Sequence, residues 1–274
     1  INIEYFAQLC KKSKLANKVC IASSNNFENI PSFSYESYEE LINKAKAFQA
    51  DVSIVFDKEL IKDGIADVFK KFHVNLISVN EKWINLEKSK VIAKQLMNYY
   101  SINNPKLIKA PTEFPVVLKL DGSENKQKIF ANSIEELVEN RAKLVPEGSD
   151  EKVFIEEFME GEEYDLISLW DKASMLYFPL IKDNNNAILT EVQIDRLNLL
   201  KTKLNFMFSD EKADFIGFIT THLLWAKNDW YVLEYKMCPD IQAISSIIEN
   251  NDMDILYVLN SAIYQKLGEI SLFL

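Results

Sequence analysis

Lys119 carries the sharpest chemical implication in the chain. It interrupts the apolar run Pro115-Val-Val-Leu-Lys-Leu120, where an unpaired ammonium is costly to bury. Two readings follow. The lysine points into a cleft and neutralises an anion such as a nucleotide phosphate, or it lies on an edge strand and faces water. Glu234 and Lys236 stand two apart in another strand-like run, so they share a face and can form an ion pair. The segment Ile155-Glu-Glu-Phe-Met-Glu-Gly-Glu-Glu163 reads, from its pattern alone, as a half-buried strand ending in a solvated acidic turn. The two histidines, His73 and His222, have no Ser, Cys or second His at a recognisable spacing, which argues against a triad or a zinc site. His73 is expected at the turn before a strand, and His222 on an antiparallel strand facing a cleft. Cys10, Cys20 and Cys238 are an odd number in no metal-ligand spacing, which predicts a reduced, cytoplasmic protein.

Composition narrows the chemistry further. With 274 residues the chain is too long for one average domain and suits two or three small ones around a cleft. Hydrophobic residues at 48% and charged residues at 26% exclude disorder. A net charge of −10 disfavours nucleic acid as a partner, because phosphate backbones require a positive surface. Six glycines are too few for a protein built on glycine-rich phosphate loops. Among 31 Lys and Arg residues only Arg141 and Arg196 are arginines, so bidentate carboxylate or phosphate clamps are scarce. No apolar run approaches the roughly 20 residues of a bilayer span, and no membrane association is expected. The chain opens on Ile1 with no signal peptide before its first element, and residues upstream are expected to be missing.

The elements that must hold these side chains fall into two textures. Residues 1–80 alternate helix and strand: helices over residues 3–15, 37–49 and 59–72, and strands over 19–22, 51–56 and 74–79. Short β-branched strands joined by helices predict an open, parallel α/β domain. Residues 81–111 form a connection with a helix over about 88–100 and a proline-bearing stretch at Pro105 and Pro111. Beyond it the pattern becomes antiparallel α+β. A small lobe over 112–165 holds strands at 115–120, 128–131 and 152–158 and a helix opened by Ser133. A larger lobe over 166–274 holds strands at 164–170, 215–226 and 230–235 and helices over 192–206 and 254–267, with Asp183-Asn-Asn-Asn186 as a loop. Trp225, Trp230, Tyr231 and Tyr235 read as packing in the last hairpin.

Four strings in this order resemble the phosphoribosylamine–glycine ligase (glycinamide ribonucleotide synthetase) family of the ATP-grasp superfamily. Glu87-Lys-Ser-Lys90 with Lys94 resembles its GSKxxxK helix, and Val116-Val-Leu-Lys-Leu-Asp-Gly122 its strand IVIKADG. Residues 155–163 are very close to IEEFLDGEE, and Val232-Leu-Glu-Tyr-Lys236 resembles VIEFN. Glu4 falls where the family's GGREHA segment has its Glu. The resemblance covers nearly the whole chain, without the family's first strand and C-terminal domain. It implies a two-lobed ATP-grasp domain with antiparallel sheets after the N-terminal parallel domain, and ATP between the lobes. Glu156, Glu157, Phe158 and Met159 would form the hinge whose backbone reads the adenine edge. Glu162 or Glu163 would accept the ribose hydroxyls, and Lys90 and Lys119 would contact the phosphates.

The chain also departs from that family. Where the family has GLAAGKGV, this chain has Gly122-Ser-Glu-Asn-Lys-Gln-Lys-Ile129, with Glu124 among the would-be phosphate contacts and Lys126 and Lys128 as partial compensation. The Mg²⁺ ligands implied by VIEFN reduce to Glu234, because Lys236 replaces the Asn and an ammonium offers no lone pair. Instead, Lys236 is expected to pair with Glu234 or another cleft carboxylate. The segment CRFGDPETQ becomes Met237-Cys-Pro-Asp-Ile-Gln242, without its Arg, and the stretch GPNTGGMGAYSP has no counterpart between Ile181 and Val192. The expectation is an adenine-nucleotide protein with weakened or lost ligase chemistry. The alternative is a non-catalytic nucleotide-binding or protein-interaction module descended from the family.

Overall fold

A computed structural model describes residues 3–122, 128–145, 152–183 and 185–270. Helix α1 (Ile3–Lys11) leads to a two-residue parallel pair, β1 (Ile21–Ala22) and β2 (Ser32–Phe33). Helices α2 (Tyr38–Ala47), α3 (Lys58–Lys62) and α4 (Ile65–Lys71) follow. Ser37 caps α2 by accepting the Glu40 N–H at 3.2 Å, and Asp57 caps α3 through the N–H groups of Glu59 and Leu60. The single helix expected over 59–72 is broken at Gly64, whose φ of +78° is a left-handed turn that glycine adopts without a Cβ penalty. The strands expected at 51–56 and 74–79 meet through one parallel bridge, Ile54 with Ile77, and Ser78 forms an antiparallel bridge with Ile216. Two backbone bonds, Ile77 N–H to Ser53 O and Val55 N–H to Ile77 O, hold the parallel bridge. The parallel sheet of this domain is therefore rudimentary, and burial of Val55, Ile77 and Val79 does most of the positioning.

Helix α6 (Lys90–Tyr99) matches the helix expected near 88–100, and it is preceded by α5 (Glu81–Lys88), which is absent from the expected elements. Ser89 between them is extended, and its hydroxyl caps α6 by accepting the Ile92 N–H at 3.2 Å. The side chain of Ser89 also donates to Asp121, and the Val91 N–H donates to the same carboxylate. A carboxylate at a helix N-terminus is favourably placed against the exposed N–H groups and the dipole. This contact fastens α6 to the end of β3 (Val116–Asp121).

Strand β3 is central in a three-stranded antiparallel sheet with β4 (Lys128–Ala131) and β5 (Lys152–Glu157), and α7 (Ile134–Leu144) lies across it. Val116, Leu118 and Leu120 alternate onto the face that packs with Ala131 and Leu144, which sends Lys119 to the other face. The second sheet contains β6 (Glu162–Trp170), β7 (Met175–Tyr177), β8 (Ile181–Lys182), β9 (Asn185–Asn186), β10 (Gly217–Ala226) and β11 (Asp229–Lys236), with helix α8 (Glu191–Asp210) between β9 and β10. The expected loop at 183–186 contributes to the β8–β9 hairpin, with Asn184 outside the described residues.

One face of this sheet, through Leu166, Trp170, Ile219 and Tyr235, packs against Leu197, Leu204 and Phe208 of α8. The other face, through Ile167, Leu169 and Phe218, packs on α9 (Ile241–Asn250) and α10 (Ile255–Ile263). Helix α9 is absent from the expected elements, although Asp240 caps it and Ile241, Ile244, Ile247 and Ile248 follow a helical period. No helix among the described residues is long and apolar enough to cross a membrane.

Candidate functional site

On the small-sheet side, the face of β3 opposite its core meets α6. Lys119 forms an ion pair with Glu156 of β5, and Lys94 of α6 approaches the other oxygen of the same carboxylate at 3.0 Å. Lys94 also donates to Pro105 O at 2.7 Å and Asn104 Oδ1 at 3.4 Å. The Lys94 and Glu156 side chains are 1% and 3% exposed. Burial pushes the Lys94 pKa below its ordinary value, opposed by the Glu156 carboxylate. The segment expected to read adenine through its backbone therefore also buries a side chain as the shared counter-ion of two lysines. Sequence reasoning quoted Lys94 only within a motif, because nothing local shows that α6 will cross β5 at this point.

The hinge lies where the chain leaves the small sheet. The Glu157 N–H donates to Lys106 O at 3.0 Å, and Glu157 Oε1 accepts the Lys106 N–H at 3.0 Å. Phe158 and Met159 follow β5 outside any strand pairing. The Phe158 ring meets Phe130 edge-on, with centroids 5.5 Å apart. Gly161 turns the chain into β6 against the backbone of β10; a Cβ there would lie 2.2 Å from Trp225 O. Glu162 accepts Lys182 at 2.8 Å and the Tyr164 hydroxyl at 2.8 Å. Glu163 accepts Lys128 of β4 at 3.3 Å, a link between the two sheets.

On the large-sheet side, cross-strand register aligns Asp165, His222 and Glu234 on β6, β10 and β11. His222 Nδ1 lies 2.8 Å from Asp165 Oδ1, and Nε2 lies 3.0 Å from Glu163 Oε2. Two ring nitrogens facing two carboxylates favour the doubly protonated imidazolium. Sequence reasoning missed this cluster. Glu163 and Asp165 are two apart, but which strand would oppose them is set by register. Lys236 does not pair with Glu234. Its ammonium is 4.0 Å from Asp165, beyond hydrogen-bond reach, while Glu234 faces Lys90 of α6 at 3.9 Å. Lys90 of α6 stands on the flank of Glu234 instead. Glu87 accepts Lys58 at 2.7 Å and the Met237 N–H at 2.7 Å, and so anchors the segment after β11. Glu124 and Lys126 lie outside the described residues.

The donor set does not suit a divalent cation. Among the described residues no group of three His, Cys, Asp or Glu side chains could hold a metal ion. Mg²⁺ demands near-octahedral oxygen ligands, and here ammonium groups lie beside Glu234 and Asp165.

The histidine gives this face a pH dependence. Burial alone would depress the His222 pKa, but the hydrogen bond and charge of Asp165, with those of Glu163, raise it above the ordinary value. A raised folded-state pKa means the stabilisation is complete below the unfolded value of about 6.5 and is lost as pH rises through the folded value. The stability advantage of wild type over His222→Gln in urea should therefore shrink as pH rises above about 6.5. An advantage that stays constant as pH rises would contradict the charged imidazole.

No protein-family model matches the chain. The phosphoribosylamine–glycine ligase of Fusobacterium nucleatum subsp. nucleatum is 26% identical over an alignment covering 97% of this chain and 71% of that protein. The crystal structure of phosphoribosylamine–glycine ligase from Thermotoga maritima superposes with a TM-score of 0.68 at 20% identity, covering 86% of this chain and 66% of that one. D-alanine–D-alanine ligase from Bacillus anthracis, complexed with ATP, gives a TM-score of 0.61 at 18% identity over 99% of this chain and 96% of that one. The chain thus spans about two thirds of the length of the first two relatives. The chain shares the fold of these ligases, and its sequence is similar to the phosphoribosylamine–glycine ligases over nearly its whole length.

Proposed function

We propose that the chain binds an adenine nucleotide between its two antiparallel sheets and has weak or no ligase turnover. The observation that carries this reading is the pairing of Lys90 with Glu234 and of Lys236 with Asp165 across the large-sheet face. In the proposed pose, backbone groups of Glu156 to Met159 hold the adenine edge. Glu162 or Glu163 accepts the ribose hydroxyls, and Lys90 and Lys119 neutralise the phosphates. ATP, when bound, would supply the phosphoryl group that activates a carboxylate for amide formation. The chain's own residues would hold that nucleotide and exclude water from it. Phosphoryl transfer additionally demands concentrated positive charge and close alignment of reactants. Ammonium groups that replace acceptor oxygens supply charge but displace the cation that would align the transferring phosphoryl group, whereas the hinge depends mostly on backbone and tolerates such changes. A relative with this fold can retain the binding cleft after losing the chemistry.

Two measurements test the reading together. Calorimetric titration should show binding of ADP and ATP. Phosphate release from ATP in the presence of glycine and phosphoribosylamine should stay well below the roughly 1 per second that marks the lower end of ordinary enzymes. Turnover at or above that rate would overturn the loss of catalysis. Absence of binding at millimolar nucleotide would overturn the nucleotide site itself and favour a protein-interaction module.

A further inference from the structure

Lys90 and Lys236 share an unusual condition. Their side chains are 14% and 30% exposed, and each ammonium stands 3.9 to 4.0 Å from a carboxylate, too far for a hydrogen bond. Neither makes a hydrogen bond to any described residue, so each keeps its three N–H donors. Donors of this kind are normally satisfied when buried, and the two project from different elements, α6 and β11.

The surrounding charge points the same way. The ion pairs that line the cleft join six cationic side chains, Lys90, Lys94, Lys119, Lys128, His222 and Lys236, to four carboxylates. Lysines are thereby concentrated at this site in a chain with a net charge of −10. The site lies on the side of the cleft where a polyphosphate would run if the hinge holds adenine. A divalent cation would enter a site already occupied by ammonium groups, with no trio of donor side chains among the described residues to hold it.

We propose that the cleft takes the metal-free nucleotide polyphosphate, with the ammonium groups of Lys90 and Lys236 supplying the neutralising charge that a divalent cation would otherwise bring. This deepens the nucleotide reading above and rests on it. Lysine is suited to the role, because its compact point charge can serve a phosphate without a fixed coordination geometry. The carboxylates of Glu234 and Asp165 then act as positioning residues. They hold the ammonium groups near the cleft at a distance that leaves the N–H donors available.

The experiment is calorimetric titration of the intact protein with ATP and ADP, once in EDTA and once in excess MgCl₂. Wild type should bind in EDTA, and Mg²⁺ should leave the affinity unchanged or lower it. Lys236→Asn should weaken ATP binding in EDTA by about tenfold, which corresponds to about 1.4 kcal/mol, and Mg²⁺ should recover part of the loss. Lys236→Arg keeps the charge and should retain binding in EDTA, which separates loss of charge from loss of fold. Tighter binding of wild type by more than about tenfold with Mg²⁺ would overturn the metal-free site while leaving the nucleotide reading intact. So would a Lys236→Asn protein that binds like wild type in EDTA. Failure of wild type to bind either nucleotide under both conditions would remove both readings.

Discussion

Glu156→Ala should destabilise the protein by about 3–5 kcal/mol, the usual cost of stranding a buried charge after its partner is removed. The Lys94 and Glu156 side chains are nearly inaccessible, and Lys119, at 13% exposure, shares the same carboxylate. Without Glu156, two ammonium groups would face each other across the β3–α6 contact with Pro105 O and Asn104 Oδ1 as the remaining acceptors for Lys94. For a chain of this size each kcal/mol is worth about 2 °C or slightly more in the thermal midpoint, so the variant should melt roughly 6–15 °C lower. The deficit should narrow as pH rises. Burial already holds the Lys94 pKa below its unfolded value, and losing Glu156 would lower it further. The unfolded chain then binds more protons than the folded one, and stability rises with pH. Replacing all three partners, as Lys94→Met, Lys119→Met and Glu156→Leu together, should recover most of the loss, because a well-packed apolar trio avoids desolvating charge. A Glu156→Ala protein within about 1 kcal/mol of wild type would show that the triad is not a buried ionic unit.

How much of this was legible in advance follows the range of each interaction. Capping is local, so Ser37 and Ser133 marked helices that the structure places at Tyr38–Ala47 and Ile134–Leu144. The short apolar run Val116 to Leu120 marked a strand, and the fold places it at the centre of the small sheet. The misses are also physical. Gly64 breaks a helix that periodicity alone runs through, and α5, which ends just before Ser89, is not among the expected elements. The strands at 51–56 and 74–79 have the composition of a parallel sheet, yet meet through one bridge, since pairing depends on neighbours that composition does not reveal. The ion pairs around Glu156, Asp165 and Glu234 illustrate the limit most sharply. Lys119 and Glu234 stand out as charges on apolar strands, but their partners Glu156 and Lys90 are tens to over a hundred positions away. His222 gains Asp165 and Glu163 only through the register of β10 on β6. The departure at Lys236 was visible as a residue type, whereas its partner, Asp165 and not Glu234, required the fold.

Gly161→Ala should impair both folding and nucleotide binding, through space and not through backbone conformation. The turn at 158–161 carries the hinge from the small sheet into β6, and β6 pairs with β10 from Glu162 opposite Trp225 onward. A methyl group at position 161 would sit 2.2 Å from Trp225 O and 3.0 Å from its carbonyl carbon. Both are backbone atoms of a strand held on two sides by β6 and β11, so neither can rotate away as a side-chain tip would. Relief must come from displacing the turn, which carries Phe158 and Met159 with it, or from opening the end of the β6–β10 ladder. Overpacking of this kind typically costs about 1–3 kcal/mol or more, and contact with a fixed carbonyl belongs at the upper end. If the backbone of this turn holds adenine, the same displacement should weaken ADP binding by at least about tenfold, since an edge-on hydrogen-bond pair depends on placement to within a fraction of an ångström. Urea denaturation and ADP titration on one preparation measure the two effects separately. Loss of stability with unchanged ADP affinity would place the adenine edge away from this turn. Unchanged stability would mean that the Gly161–Trp225 approach is looser than described.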